Sequence, residues 1–123
     1  CRNAEARSAA YHEVQVNFCL NYGGRDEIVQ AARRFAEAVS QGEKRPEELD
    51  EALFSQYLYS ANLPDPELII RPSGEERISN FLLWQSAYSE LVFQDVLWPD
   101  YSPNDLDAAI AEFHRRSRRF GGV

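Results

Sequence analysis

Two runs of different period joined by a glycine turn constrain this chain more than any other feature. Val14, Val16, Phe18 and Leu20 alternate with Gln15, Asn17 and Cys19, the two-residue period of a strand. Asn21, Tyr22, Gly23 and Gly24 read as a turn. Ile28, Ala32, Phe35, Ala36 and Val39 then recur at helical spacing until Gly42 offers a stop. A short helix is predicted over residues 46–59, with proline in its first turn and Leu49, Leu53 and Tyr57 on one face. The NLPDP run at 62–66 breaks it and leads into a strand at Leu68, Ile69 and Ile70.

The alternation continues to the end of the chain. Phe81, Leu82, Leu83 and Trp84 predict a short helix, and Leu91, Val92 and Phe93 another strand. WPD at 98–100 is a turn, and Ser102, Pro103 and Asp105 mark the start of a last helix whose apolar face is Leu106, Ala109, Ile110 and Phe113. The expected fold class is therefore α/β, a mostly parallel sheet flanked by helices. Only about three strands are visible, and parallel sheets generally need both faces covered. Residues 1–13 read as the end of a helix without its beginning. The expectation is that residues 1–123 form the C-terminal part of a single larger α/β domain, or need a partner to complete the sheet.

Composition narrows the class of molecule. A net charge of -7 argues against a protein that coats nucleic acid, because that task needs a basic face. No apolar run approaches a membrane span and no signal-peptide pattern opens the chain, so a cytoplasmic address is expected. Two cysteines make no disulfide framework, and Cys19 in a strand-like run is expected to be a small buried thiol. The basic run HRRSRRFGGV at 114–123 reads either as complement to a helix dipole or as an anion-binding tail.

The stretch RPSGEERISNFLLWQSAYSE at 71–90 carries the chemistry. Arg71 falls where a strand ends and a loop begins, the place where open α/β sheets bind ligands. Arginine presents a fixed fork of donors suited to phosphate oxygens, so Arg71 and Arg77 around the Ser-Gly turn suggest a diphosphate site. Surface ion pairing with Glu75 and Glu76 is the alternative for both. Ser79 reads as the cap of a helix starting near Asn80, as an anion ligand, or as both.

Several long motifs in order resemble one family. NYGGRDEI at 21–28, LPDPELIIRPSGEERISNFLLWQSAYSELVF at 63–93, LWPD at 97–100 and the terminal RRFGGV are similar to the C-terminal half of cis-prenyltransferases, in particular bacterial undecaprenyl diphosphate synthases. The resemblance implies condensation of isopentenyl diphosphate with an allylic, farnesyl-type diphosphate, building a polyprenyl carrier lipid for cell-wall glycans. It implies that Arg71, Arg77, Ile78 and Ser79 bind isopentenyl diphosphate, that Glu90 belongs to a Mg²⁺ site, and that Arg119 and Gly121 reach substrate across a dimer interface. A homodimer is the expected assembly, with no nucleic-acid partner and at most peripheral membrane association through the lipid product.

One family motif is missing. The Asp-Gly-Asn-Gly-Arg loop that supplies the catalytic aspartate does not occur, and the sequence contains no Asp-Gly pair. No catalytic residue is therefore expected among these 123, and the chain alone is expected to be inactive. A piece of an active synthase, a non-catalytic partner subunit and a structural dimerisation remnant all remain open at this point.

Overall fold

The computed structural model describes residues 2–116. Its helices are α1 (Arg2–Ser8), α2 (Gly24–Ser40), α3 (Glu51–Ser55) and α4 (Pro103–Arg115), and its strands are β1 (Leu68–Arg71) and β2 (Glu90–Phe93). The two strands pair in parallel, in a register that sets Leu68 against Glu90 and Arg71 against Phe93. The α/β class with parallel pairing is thus the observed architecture.

Helix α2 forms because an apolar stripe repeats at helical spacing, but the buried stripe differs from the expected one. Glu27, Ala31, Phe35 and Ala38 are buried, whereas Ala32 and Ala36 face solvent. The difference arises because the helix is pulled inward by its glutamate as well as by its apolar residues. It stops where expected: Gly42 takes φ +75, and the Glu43 N–H reaches the Ala38 carbonyl at 2.9 Å. Phe35 meets Tyr57 edge-on at 5.7 Å, which packs α2 against α3 and the turn after it.

Helix α4 begins on a capping arrangement. The Asp105 carboxylate accepts from the Ser102 N–H at 2.8 Å and from the Ser102 hydroxyl at 2.5 Å, while Pro103 occupies the first turn. These bonds hold the Asp105 carboxyl below its ordinary range, the hydroxyl being the larger cause. Ala109 is buried, and α4 packs on β2. At the far end, Arg116 donates to Glu90 at 3.0 Å and to the Leu91 carbonyl at 2.8 Å. Leu106 and Ile110, expected on the inner face, stay largely exposed among the described residues.

Four expectations are corrected. Residues 14–20 form no strand: Val14, Val16, Phe18 and Leu20 are 67% to 82% exposed, because alternation makes a strand only where a neighbour takes up the backbone N–H and C=O groups. Cys19 in that segment is accordingly exposed, not buried. The helix expected over 46–59 is interrupted, with a 3₁₀ turn at Pro46–Glu48 and α3 starting only after Asp50 caps it through the Leu53 N–H at 2.7 Å. No helix runs through Phe81, Leu82, Leu83 and Trp84; positive φ at Ser79 (47°), Asn80 (65°) and Leu82 (47°) breaks the path, and a 3₁₀ turn at Gln85–Tyr88 follows instead. Ser79 consequently caps no helix.

Candidate functional site

β1 delivers Arg71 to its carboxyl end, and the chain there is turned by bonds to the segment after β2. The Gln94 N–H reaches the Arg71 carbonyl at 3.0 Å, the Gly74 N–H reaches Gln94 O at 2.9 Å, and the Ser73 N–H reaches Val96 O at 2.8 Å. Beside this turn lies an open groove of about 410 Å³ whose walls include Arg71, Arg77, Ile78, Phe81, Phe93 and Trp98. Among the described residues two guanidinium groups and no carboxylate line it. Its remaining walls are mostly apolar, so the groove offers positive charge next to hydrocarbon-compatible surface.

Three of the expected ligand residues, Arg71, Arg77 and Ile78, thus share one groove. Arg71 is half-buried and donates to the Ser79 hydroxyl at 3.4 Å, bringing the fourth, Ser79, alongside. Arg77 is exposed and pairs with Glu75, as the ion-pair alternative anticipated. An exposed pair of this kind contributes little to stability, so Glu75 competes only weakly with a multiply charged anion.

Glu90 lies elsewhere. It opens β2 while Arg71 closes β1, and parallel pairing puts them at opposite ends of the ladder, roughly 10 Å apart at the rise of a strand. Its carboxylate faces Arg116, which Glu112 also holds at 3.0 Å. Hydrogen bonds donated to both carboxylates, Glu90 first, raise the Arg116 guanidinium's affinity for its proton. Magnesium takes one or two carboxylates and completes its shell with water and phosphate oxygens. Among the described residues no cluster of three His, Cys, Asp or Glu side chains could hold a metal. Arg119 and Gly121 lie outside the described residues.

Three residues outside the groove lining escape sequence reasoning. Glu27 is 1% exposed and its two oxygens accept from the Tyr22 hydroxyl, from Gln85 Nε2 at 3.0 Å and from the Tyr59 N–H at 2.8 Å. Burial first, and the Glu27 carboxylate second, push the Tyr22 phenol well above its ordinary value, so it stays a donor. Gln85 also donates to Ser60 Oγ at 2.7 Å, while its own Oε1 is buried without a partner. Asn80 accepts the Gly24 N–H on its carbonyl at 2.7 Å and the Arg25 N–H on its side chain at 2.9 Å. The Gly24 and Arg25 N–H groups at the start of α2 therefore hold the arginine loop through Asn80. Nothing local distinguishes Glu27 from the other acidic residues; an acid at the spacing of a buried stripe is the one available signal.

Fold and site together define an α/β protein with an arginine-lined groove at the carboxyl end of a parallel strand. The chain belongs to the undecaprenyl diphosphate synthase family: the family model described as "Putative undecaprenyl diphosphate synthase" matches residues 1–121. It is 57% identical over 120 residues to an isoprenyl transferase of Caulobacter vibrioides, covering 98% of this chain and 46% of that protein. With an isoprenyl transferase of Bacillus subtilis it shares 58% identity over 108 residues, covering 88% of this chain and 42% of the other. The fold superposes on lavandulyl diphosphate synthase from Lavandula x intermedia, solved in complex with dimethylallyl diphosphate, with a TM-score of 0.82 and 45% identity over 84% of this chain and 44% of that one. A probable undecaprenyl diphosphate synthase from Campylobacter jejuni gives a TM-score of 0.79 at 32% identity, covering 98% of this chain and 54% of its own. The chain thus spans about half the length, or less, of these relatives. Among the described residues no helix is long and apolar enough to cross a membrane.

Proposed function

We propose that these residues form the isopentenyl diphosphate side of a cis-prenyl transfer site, joining isopentenyl diphosphate to an allylic diphosphate to extend a polyprenyl chain of the undecaprenyl type. The observation that carries the reading is the groove itself: Arg71 and Arg77 both line it, Ser79 is bonded to Arg71, and among the described residues no carboxylate lines it. A diphosphate needs converging charged donors, and a short hydrocarbon tail needs the apolar wall that Ile78, Phe81 and Trp98 supply. The bond-making aspartate is assigned to the family's Asp-Gly-Asn-Gly-Arg loop, which these residues lack, so this piece alone binds one substrate and makes no product. Arg119 and Gly121 are assigned to the same substrate from across a homodimer interface. Glu90 is assigned to the Mg²⁺ site of the completed protein, where a bound ion would compete with Arg116 for its carboxylate.

Calorimetric titration with isopentenyl diphosphate tests it. Arg77→Ala in the full-length protein carrying these residues is expected to weaken binding by about 1.5 to 3 kcal/mol, the range for hydrogen bonds to charged groups, with little loss of thermal stability. Unchanged affinity would remove Arg77 from the site.

A further inference from the structure

We infer that Asn80 is a positioning residue that sets the affinity of the arginine loop for isopentenyl diphosphate without touching it; this rests on reading the groove as the site of that diphosphate. Asn80 lies just beyond Arg77, Ile78 and Ser79 in the chain, yet it does not line the groove. Ser79 and Asn80 adopt left-handed backbone in succession, with φ of 47° and 65°. Side chains other than glycine hold that conformation only where the surroundings enforce it, and asparagine tolerates it better than serine.

What enforces it is the start of α2. The first amide N–H groups of a helix have no partner within it. Asn80 takes two of them, Gly24 N–H on its carbonyl at 2.7 Å and Arg25 N–H on its side-chain oxygen at 2.9 Å. The glycines make room for this contact. A Cβ on Gly23 would stand 2.9 Å from Asn80 Nδ2, and one on Gly24 would stand 3.1 Å from Asn80 O and 2.8 Å from Leu83 Cγ. One residue therefore fastens the loop to a 17-residue helix by both backbone and side chain, immediately after Ser79, which meets Arg71, and two residues after Ile78, which lines the groove.

Steady-state kinetics of the full-length enzyme separate this role from a general loss of stability. A fold defect reduces the active fraction, which lowers kcat and leaves both Michaelis constants alone. A displaced loop raises KM for isopentenyl diphosphate and spares KM for the allylic substrate. Asn80→Ala is expected to raise the first about tenfold, as one well-made hydrogen bond would, and to leave the second unchanged. If the alanine variant does not fold, Asn80→Gly carries the test, since glycine accepts φ 65° freely while losing the bond to Arg25. Equal changes in both constants, or none, while Arg77→Ala still raises KM for isopentenyl diphosphate, would overturn the positioning role alone. No response to Arg77→Ala would overturn the reading of the groove and this inference with it.

Discussion

The Glu27 network makes an unusual prediction about a charge-removing substitution. Glu27→Ala removes the acceptor of three hydrogen bonds, from Tyr22, Gln85 and the Tyr59 N–H. Bonds to charged groups contribute about 1.5 to 3 kcal/mol each, and because the three share one carboxylate they do not add fully, so a loss of about 3 to 5 kcal/mol is expected. Glu27→Gln is nearly isosteric, and its oxygen can keep the Tyr59 N–H. Its amide would face the Gln85 amide, donor against donor, unless Gln85 turns over. In that turn Gln85 Oε1 gives up no bond, because it has no partner to lose. Once reversed, Oε1 accepts from the new amide and from the Ser60 hydroxyl, which now donates, but the Tyr22 hydroxyl loses its acceptor and Gln85 Nε2 takes the buried, partnerless place that Oε1 held. The glutamine variant should therefore lose about 1 to 3 kcal/mol, less than alanine because the Tyr59 and Gln85 contacts are kept while the Tyr22 donor is orphaned. Thermal and urea unfolding followed by circular dichroism measures both; at about 2 to 4 °C per kcal/mol for a domain of 150–250 residues, alanine should lower Tm by about 10 °C and glutamine by a few degrees. A glutamine variant as unstable as the alanine one would refute the idea that Gln85 has a free orientation to use.

Two further perturbations follow from contacts at the starts of α2 and α4. Gly24→Ala drives a Cβ to 2.8 Å from Leu83 Cγ and 3.0 Å from Leu83 N, so unfolding should show a loss of about 1 to 3 kcal/mol, typical of overpacking. Asp105 titrates below its ordinary range in the fold, so its bonds to Ser102 stabilise α4 above the unfolded carboxylate pKa and are lost as pH falls through the folded one. The Tm deficit of Asp105→Asn should be present at neutral pH and vanish in strong acid; a deficit independent of pH would exclude the carboxylate as its source.

Features set by a few adjacent residues were legible in the sequence. Gly42 ending α2, Ser102 with Asp105 opening α4, and the two strands at Leu68 and Leu91 all depend on local chemistry, and each lies where its residues suggest. Arg71, Arg77, Ile78 and Ser79 were legible as a group because the family's motif is long and continuous. Features that depend on distant partners were not. Residues 14–20 have the period of a strand, but a period does not supply the neighbour that a ladder requires. Phe81, Leu82, Leu83 and Trp84 have helix-forming composition, yet Asn80 is spent on α2 and Trp84 donates instead to Ser55 Oγ at 3.0 Å, so the segment follows its contacts and not its propensity. Glu27 is buried because Tyr22, Tyr59 and Gln85 converge on it from three separate segments, which no local pattern announces.

The link between the two parallel strands contains no α-helix, only one 3₁₀ turn at Gln85–Tyr88. A helix spreads its stability over many equivalent backbone bonds, so an exposed position in α2 can change without much effect. The link has no such redundancy: Asn80, Trp84, Gln85 and Ser89 each make a bond that no neighbour duplicates, Ser89 to the Pro66 carbonyl at 2.5 Å among them. Tolerance to substitution should therefore be granular between β1 and β2, with single intolerant positions set among permissive ones. A mutational scan would trace the path of the loop as isolated points of sensitivity, where a helix would give a periodic stripe.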